Sequence, residues 1–251
     1  MILTGLDPAR HSEEDMERIW WGIGTWLGAA AVQSAAGERL GHVREDVSNP
    51  KSRGYNSARE LDPHTDSYEI IGLMCLQKAT SGGSSSLVSA MSVHNEILRQ
   101  RPDLLAALYE GFPYATVEMR GNDRPVTDYA VPVYSQVEGV LSCAYLRNFM
   151  RNAALVLERP MPARLVEALD FFDATCMRPD LALEFMLEPG EMMLCNNYVT
   201  LHWRSAFVSD PARPRHLPRL WLNVEHGRKV LPALLRRARE YRAQAPVAAA
   251  P

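Results

Sequence analysis

Two histidines and one aspartate are the residues of this sequence best suited to chemistry. His64 and Asp66 stand two apart in His64-Thr65-Asp66, and His202 lies far downstream in Asn196-Asn197-Tyr198-Val199-Thr200-Leu201-His202. Two imidazoles and a carboxylate can take one face of an octahedral ferrous ion and leave the opposite three positions open. On a β-strand, residues i and i+2 point to the same side, so His64 and Asp66 can grip one metal while Thr65 faces away. A His-x-Asp tripeptide alone is weak, since most occurrences are accidental. The bland alternatives are a loop histidine bonded to a nearby acid and, at 202, a satisfied core histidine on an apolar strand.

A cluster of arginines follows His202. In Arg215-His216-Leu217-Pro218-Arg219-Leu220-Trp221-Leu222, period-two alternation lets Arg215 and Arg219 face the same side. A guanidinium fork matches the two oxygens of a carboxylate through parallel charge-assisted hydrogen bonds. A dicarboxylate held on a metal at one end needs such an anchor at the other. Ser85, in Gly82-Gly83-Ser84-Ser85, can add a hydroxyl to the same carboxylate. The ordinary alternatives are a surface ion pair for either arginine and a purely conformational reason for the glycine-serine turn.

The elements that must position these groups are mainly strands. Residues 1–6 read as a short strand. Ser12 caps a helix with Glu13, Glu14 and Asp15 in its first turn, and Met16, Ile19, Trp20, Ile23, Trp26 and Leu27 form its apolar stripe. Residues 37–63 read as a long polar loop leading to the site. Strands are expected at 68–77, 85–89, 114–119, 129–134, 140–146, 183–187, 192–195, 199–207 and 217–224, with a turn at 81–84. Helices are expected before Pro102, through Leu104–Leu108, at 162–176 and at about 231–241. Many short strands with few helices predict a β-sandwich or barrel in one domain, residues 1–245, with 246–251 as a frayed tail.

Composition narrows the function. The 251 residues are 47% hydrophobic, enough for one sizeable core, and the net charge of −3 provides no basic field for nucleic acid. Cys75, Cys143, Cys176 and Cys195 form no Cys-x-x-Cys pair, so reduced, buried cysteines of a cytoplasmic protein are expected. No leader and no membrane-spanning run is expected.

Taken in order, Glu60-Leu61-Asp62-Pro63-His64-Thr65-Asp66, Gly82-Gly83-Ser84-Ser85, Asn196-Asn197 through His202, and Arg215 through Leu222 resemble the TauD/TfdA (taurine dioxygenase-like) family. The resemblance runs from Ile2 to about Pro232. It implies a double-stranded β-helix, a jelly-roll, cupin-like core with flanking helices. It also implies an Fe(II)- and 2-oxoglutarate-dependent dioxygenase that uses O2, releases succinate and CO2, and oxidises a C–H bond of a small molecule, most simply by hydroxylation. His64, Asp66 and His202 match the iron ligands, and Arg215 matches the arginine that binds the distal carboxylate of 2-oxoglutarate. Arg219 matches a second arginine that faces cosubstrate in some members and substrate in others. Ser85 stands where relatives often have Thr. A homodimer is a family-level expectation. Asp66, where halogenating relatives carry Ala or Gly, argues against halide chemistry. Family members often carry a further N-terminal segment before the first core strand, so any contact made by that segment is expected to be absent or replaced.

Substrate contacts are placed at Tyr55 and Asn56, with Ser57 beside them, and at Arg204, two residues beyond His202. Tyr145 and Arg147 are placed on an interior strand. His94 is expected to be exposed, His11, His42 and His226 to lie in polar loops, and His216 to point away from the side of Arg215. The competing readings are a metal-dependent hydrolase or isomerase, since a His2Asp site also holds zinc, and a non-catalytic binding module on the same barrel.

Overall fold

The computed structural model describes residues 1–34, 37–45, 56–116 and 125–236. In chain order the first half carries β1 (Ile2–Leu3), α1 (Glu13–Leu27), β2 (Ala29–Ala30), β3 (Leu40–Val43), β4 (Leu61–His64), β5 (Ile70–Met74), β6 (Ser81–Gly82), β7 (Ser85–Ser89), α2 (Ala90–Gln100) and α3 (Leu105–Glu110). The second half carries β8 (Tyr134–Val137), β9 (Val140–Cys143), α4 (Arg147–Val156), α5 (Ala163–Cys176), β10 (Ala182–Phe185), β11 (Met192–Asn196), β12 (Thr200–Arg204), β13 (Phe207–Val208) and β14 (Leu217–Asn223).

Two antiparallel sheets form the core. The larger runs β1-β11-β5-β14, and the far edge of β14 is shared by β2 and β3; the smaller runs β10-β7-β12-β4. The chain alternates between them: β3 and β5 lie in the larger sheet, β4 and β7 in the smaller, β11 and β14 in the larger, β10 and β12 in the smaller. That winding is the double-stranded β-helix, or jelly roll.

Period-two alternation assigns the faces. On β5, Ile71 and Leu73 turn between the sheets, while Met74 turns outward to Met16 and Trp20 of α1. Gly72 makes that seat possible: a Cβ there would meet Trp20 at 2.5 Å. Ser12 caps α1, accepting a hydrogen bond from Asp15 N–H while the Asp15 carboxylate accepts from Ser12 N–H. On the smaller sheet, Val88 and Leu201 turn outward into a large apolar cluster with α2, α3 and α5, and His202 turns inward.

Several expectations change. The 37–63 stretch contains β3, which pairs with β14 from Leu217↔Val43 to Leu220↔Leu40. Its polar composition hid a strand with only alternate positions buried. Trp26 does not join the buried stripe of α1; it is 91% exposed. Residue 147 is not on a strand: Arg147 starts α4, and its guanidinium pairs with Asp170 and Asp173. In the region expected as strands 114–119 and 129–134, the described residues hold isolated bridges Ala115↔Val126 and Phe112↔Val131, and regular pairing begins at Tyr134. His94 is half-buried, packed against Tyr134 and Tyr109. The closing helix starts at residue 232, and its continuation lies outside the described residues, as does the 246–251 tail.

Candidate active site

His64 is the last residue of β4, and it sits directly opposite His202 of β12. Cross-strand register therefore sets the two imidazoles side by side, with ring centroids 4.3 Å apart. Thr65 turns into the core, where its N–H donates to Tyr145 O at 2.9 Å and its hydroxyl accepts from Tyr145 N–H at 2.8 Å. Those two bonds continue the extended conformation past the strand end, so Asp66 returns to the side of His64. Its Oδ2 lies 3.6 Å from His202 Nε2. One ligand atom from each of His64, Asp66 and His202 lies within 4.8 Å of the others.

Asp66 and His64 are held by their neighbours, whereas His202 Nδ1 is buried with no hydrogen-bond partner among the described residues. Trp221 Nε1–H donates to Asp66 Oδ2 at 2.8 Å. Asp66 N–H donates to the side-chain oxygen of fully buried Asn197, whose amide nitrogen donates to Tyr68 O. His64 Nδ1 lies 2.8 Å from Asp62 O. A carbonyl oxygen only accepts, so Nδ1 carries the proton and Nε2 faces the cluster with a lone pair. Trp221 and Asn197 escaped the sequence reading as parts of the site. Trp221 lies two residues beyond Arg219 on one strand face, which was the available signal.

The electrostatics suit a cation. Burial, then His64, pulls His202 down to about 3, so at neutral pH the ring is uncharged, the form that ligates. Burial pushes Asp66 up, but His202, Arg219, His64 and the Trp221 hydrogen bond together hold it below the ordinary carboxylate value. The donor set thus presents the uncharged ring of His202, the imidazole of His64 and one carboxylate, which fits Fe(II).

The triad opens on a small cavity of about 60 Å³, lined also by Ser85, Arg204, Arg215 and Arg219. Arg215 and Arg219 share this side, and His216 turns to the other, as alternation requires. Arg215 is buried, with its Cζ 5.2 Å from the centre of the Phe207 ring. Its Nη1 has no hydrogen-bond partner among the described residues. Burial brings it down to about 10. Gly83, at φ +77°, passes beneath it; a Cβ there would stand 3.2 Å from Arg215 Nε in a backbone conformation that side chains resist.

Arg204 lies opposite Ser85 in the β12–β7 register. Its guanidinium donates to the backbone oxygens of Ser57 and Arg59, which anchors the chain entering β4. Its Nη1, like that of Arg215, is buried without a partner among the described residues. Burial, then Arg215, brings it down to about 10. Arg219 donates from Nε to Gln33 Oε1 at 2.7 Å and stacks on Trp221, with Cζ 4.1 Å from the ring centre.

A larger cavity of about 300 Å³ adjoins through Arg219 and is lined by Asn56, Ser34, Glu38, His42, Arg44 and Glu45. Tyr55 lies outside the described residues. Tyr145 and Arg147 line neither cavity; the Tyr145 hydroxyl donates to Asp173 Oδ1 at 2.5 Å in the helical layer.

The family model for taurine catabolism dioxygenase, TauD/TfdA family, matches residues 1–221. The fold and the site define a class, the iron(II)- and 2-oxoglutarate-dependent oxygenases. Within it, the chain belongs to the TauD/TfdA dioxygenase family, and it is an oxidoreductase.

Among its relatives is FR-33289 synthase of Streptomyces rubellomurinus (strain ATCC 31215), 35% identical over 91% of this chain and 70% of the relative. Another is taurine hydroxylase-like protein SAT17 of Stachybotrys chartarum (strain CBS 109288 / IBT 7711), 31% identical over 88% of this chain and 60% of the relative. Uridine-5'-phosphate dioxygenase from a Streptomyces species is 30% identical over 62% of this chain and 59% of the relative. The chain thus spans less than two thirds of the length of the last two.

An asparagine oxygenase solved with Fe(II), hydroxyasparagine and succinate shares the fold at TM-score 0.66 and 18% identity, over 82% of this chain and 63% of that one. The non-heme iron oxygenase OrfP, solved with Fe, succinate and (3S)-hydroxy-L-Arg, does so at TM-score 0.65 and 14% identity, over 91% of this chain and 70% of that one.

Proposed function

We propose that the chain hydroxylates an unactivated C–H bond of a small, charged, polar molecule, using Fe(II), 2-oxoglutarate and O2. The observation that carries the reading is Arg215, a buried guanidinium whose Nη1 has no partner among the described residues, in the same cavity as the triad. A buried cation without a counter-charge costs several kcal/mol, so such a group fits an anionic ligand rather than a resting core.

In this reading His64, Asp66 and His202 hold the iron, and Arg215 receives the distal carboxylate of 2-oxoglutarate with Ser85 beside it. Bound iron, with cosubstrate and O2, supplies the oxidative decarboxylation to succinate and CO2 and the oxidation of the C–H bond. The chain supplies position. Trp221 holds Asp66 Oδ2, the oxygen 3.6 Å from His202 Nε2, in place where an ion would bind. The neutral ring of His202 needs to lose no proton before it ligates. The apolar walls Val43, Leu73 and Met193 keep bulk water from the cavity. Arg219, shared by both cavities, faces the substrate, which occupies the larger one with Asn56. Acidic and basic groups on its wall favour a substrate carrying charge. The names of the relatives and the ligands of the neighbours point the same way, toward small polar molecules.

Four unpaired cysteines support a reducing, cytoplasmic location. No helix among the described residues is long and apolar enough to cross a membrane. The partner is a small molecule rather than nucleic acid, in keeping with the net charge of −3. A homodimer is our reading from the family.

The test is substrate-stimulated succinate release from a panel of small sulfonates, phosphonates and amino acids, with mass spectrometry to detect one added oxygen atom. Anaerobic Fe(II) with 2-oxoglutarate should give a visible charge-transfer band that His64→Ala abolishes. Turnover in the absence of O2, or a band that survives His64→Ala at full strength, would overturn the proposal.

A further inference from the structure

A second pair of histidines meets a carboxylate on the outer face of the larger sheet. Glu17 comes from α1, His42 from β3, and His216 from the residue before β14. His42 Nδ1 lies 2.9 Å from His216 Nε2 and 3.6 Å from Glu17 Oε1. One ligand atom from each of the three lies within 4.8 Å of the others. Ligand atoms of a tetrahedral zinc ion stand about 3.3 Å apart, so side-chain adjustment alone closes this set around an ion.

The far side of His216 adds an independent observation. Its Nδ1 lies 2.9 Å from Glu13 Oε1. An ionised carboxylate only accepts, so Nδ1 carries the proton and Nε2 presents a lone pair toward His42 and Glu17. A carboxylate behind an imidazole in this way orients the ring and raises its basicity toward a metal. Burial lowers the affinity of His216 for a second proton against the pull of Glu13, and His42 and Arg44 act in the same sense as burial. Glu13 and Glu17 together balance the charge of a divalent ion. The side chains of Glu17 and His42 are 24% and 33% exposed, which leaves an entry path and room for a water as fourth ligand.

We propose that Glu17, His42 and His216 form a second metal site, for a divalent ion of the zinc type, with Glu13 orienting His216. The site ties α1 to β3 and β14. It lies one residue from Arg215, so an ion there stiffens the segment that presents Arg215 and Arg219 to the inner cavity. A proton shared between the two rings satisfies the same nitrogen atoms without a metal, and the experiment separates the two states.

Full-length protein is loaded with Zn(II), passed through gel filtration, and analysed for bound metal. Wild type should retain two equivalents. The His64→Ala, Asp66→Ala double variant should retain one, and adding His42→Ala should remove it. Zn(II) should raise the melting temperature of the double variant by several degrees, and that rise should vanish with His42→Ala. Co(II) in the double variant should give the intense visible bands of a four-coordinate ion. If His42→Ala fails to fold by circular dichroism, Glu17→Gln, on a partly exposed helix face, carries the same comparison and should weaken retention at least tenfold. A double variant that retains no metal, or metal retention unchanged by both His42→Ala and Glu17→Gln, overturns the proposal and leaves a shared proton.

Discussion

The two histidine–carboxylate clusters have the same donor types and lie on opposite sides of the larger sheet, yet their surroundings differ. The inner triad takes its histidines from neighbouring strands in fixed register. It adjoins a cavity into which buried Arg215 and Arg204 each bring a guanidinium whose Nη1 has no hydrogen-bond partner among the described residues. The outer cluster takes its groups from a helix and two strand positions, and the acid Glu13 backs His216. Donor identity therefore does not by itself separate a reactive centre from a clamp. The inner cluster is marked by buried guanidinium groups with hydrogen bonds unmade among the described residues, beside space for a ligand. The outer one is marked by compensation among the protein's own groups.

The strongest way to break that contrast is to remove the inner charge. Arg215→Met keeps most of the stem and deletes the guanidinium. KM for 2-oxoglutarate should rise about 100-fold, equivalent to about 3 kcal/mol of charge-assisted hydrogen bonding, while Fe(II) retention changes little. The apoprotein should become more stable by about 1–3 kcal/mol in urea, because a buried cation with no carboxylate partner among the described residues disappears. If KM stays constant, the carboxylate is anchored by another arginine, and Arg204, whose buried Nη1 also has no partner among the described residues, is the next to vary.

The inner cluster was legible in the sequence and the outer one was not. His64, Asp66, His202, Arg215 and Ser85 follow strict rules of alternation and order, and the structure gathers all five about one cavity. The outer cluster depends on β3, whose Leu40-Gly41-His42-Val43 buries only alternate residues and lies in a polar stretch. Nothing local marks it as a strand; its pairing with β14 is a long-range fact. The same limit hid Trp221 as a support for Asp66 and Gln33 as a support for Arg219, because each contact spans much of the chain. Helix α4 was missed for a different reason: its apolar residues follow an apolar strand without a capping side chain to mark the boundary.

A finer separation of the clusters comes from Trp221→Phe. The ring volume is largely kept and the Nε1–H donor to Asp66 is lost. Groups that orient a metal ligand typically change affinity by about 10- to 100-fold. Fe(II) affinity should fall by about tenfold, measured by competition with a chelator, with KM for 2-oxoglutarate nearly unchanged. Zn(II) retention at the outer cluster should not respond, since Trp221 faces inward.

The smallest effect concerns protons. His202 has an ordinary value of 6.5 and is held near 3 in the fold. Between those values the unfolded chain binds a proton that the native protein refuses, so native stability is fully present above about pH 6.5 and declines as pH falls toward 3. Inside that window each unit of acidification removes at most about 1.4 kcal/mol through this one group. His202→Gln removes the titration while keeping a polar side chain, so its urea-unfolding stability should decline less steeply between pH 6.5 and 4 than that of the wild-type apoprotein. Parallel slopes would mean that the ring is protonated in the native apo state. The outer cluster adds its own contribution through His216, whose value also lies below the ordinary one. Saturating Zn(II) at the outer site of the His64→Ala, Asp66→Ala variant should therefore steepen the acid limb, because a bound ion demands neutral rings that acid protonates.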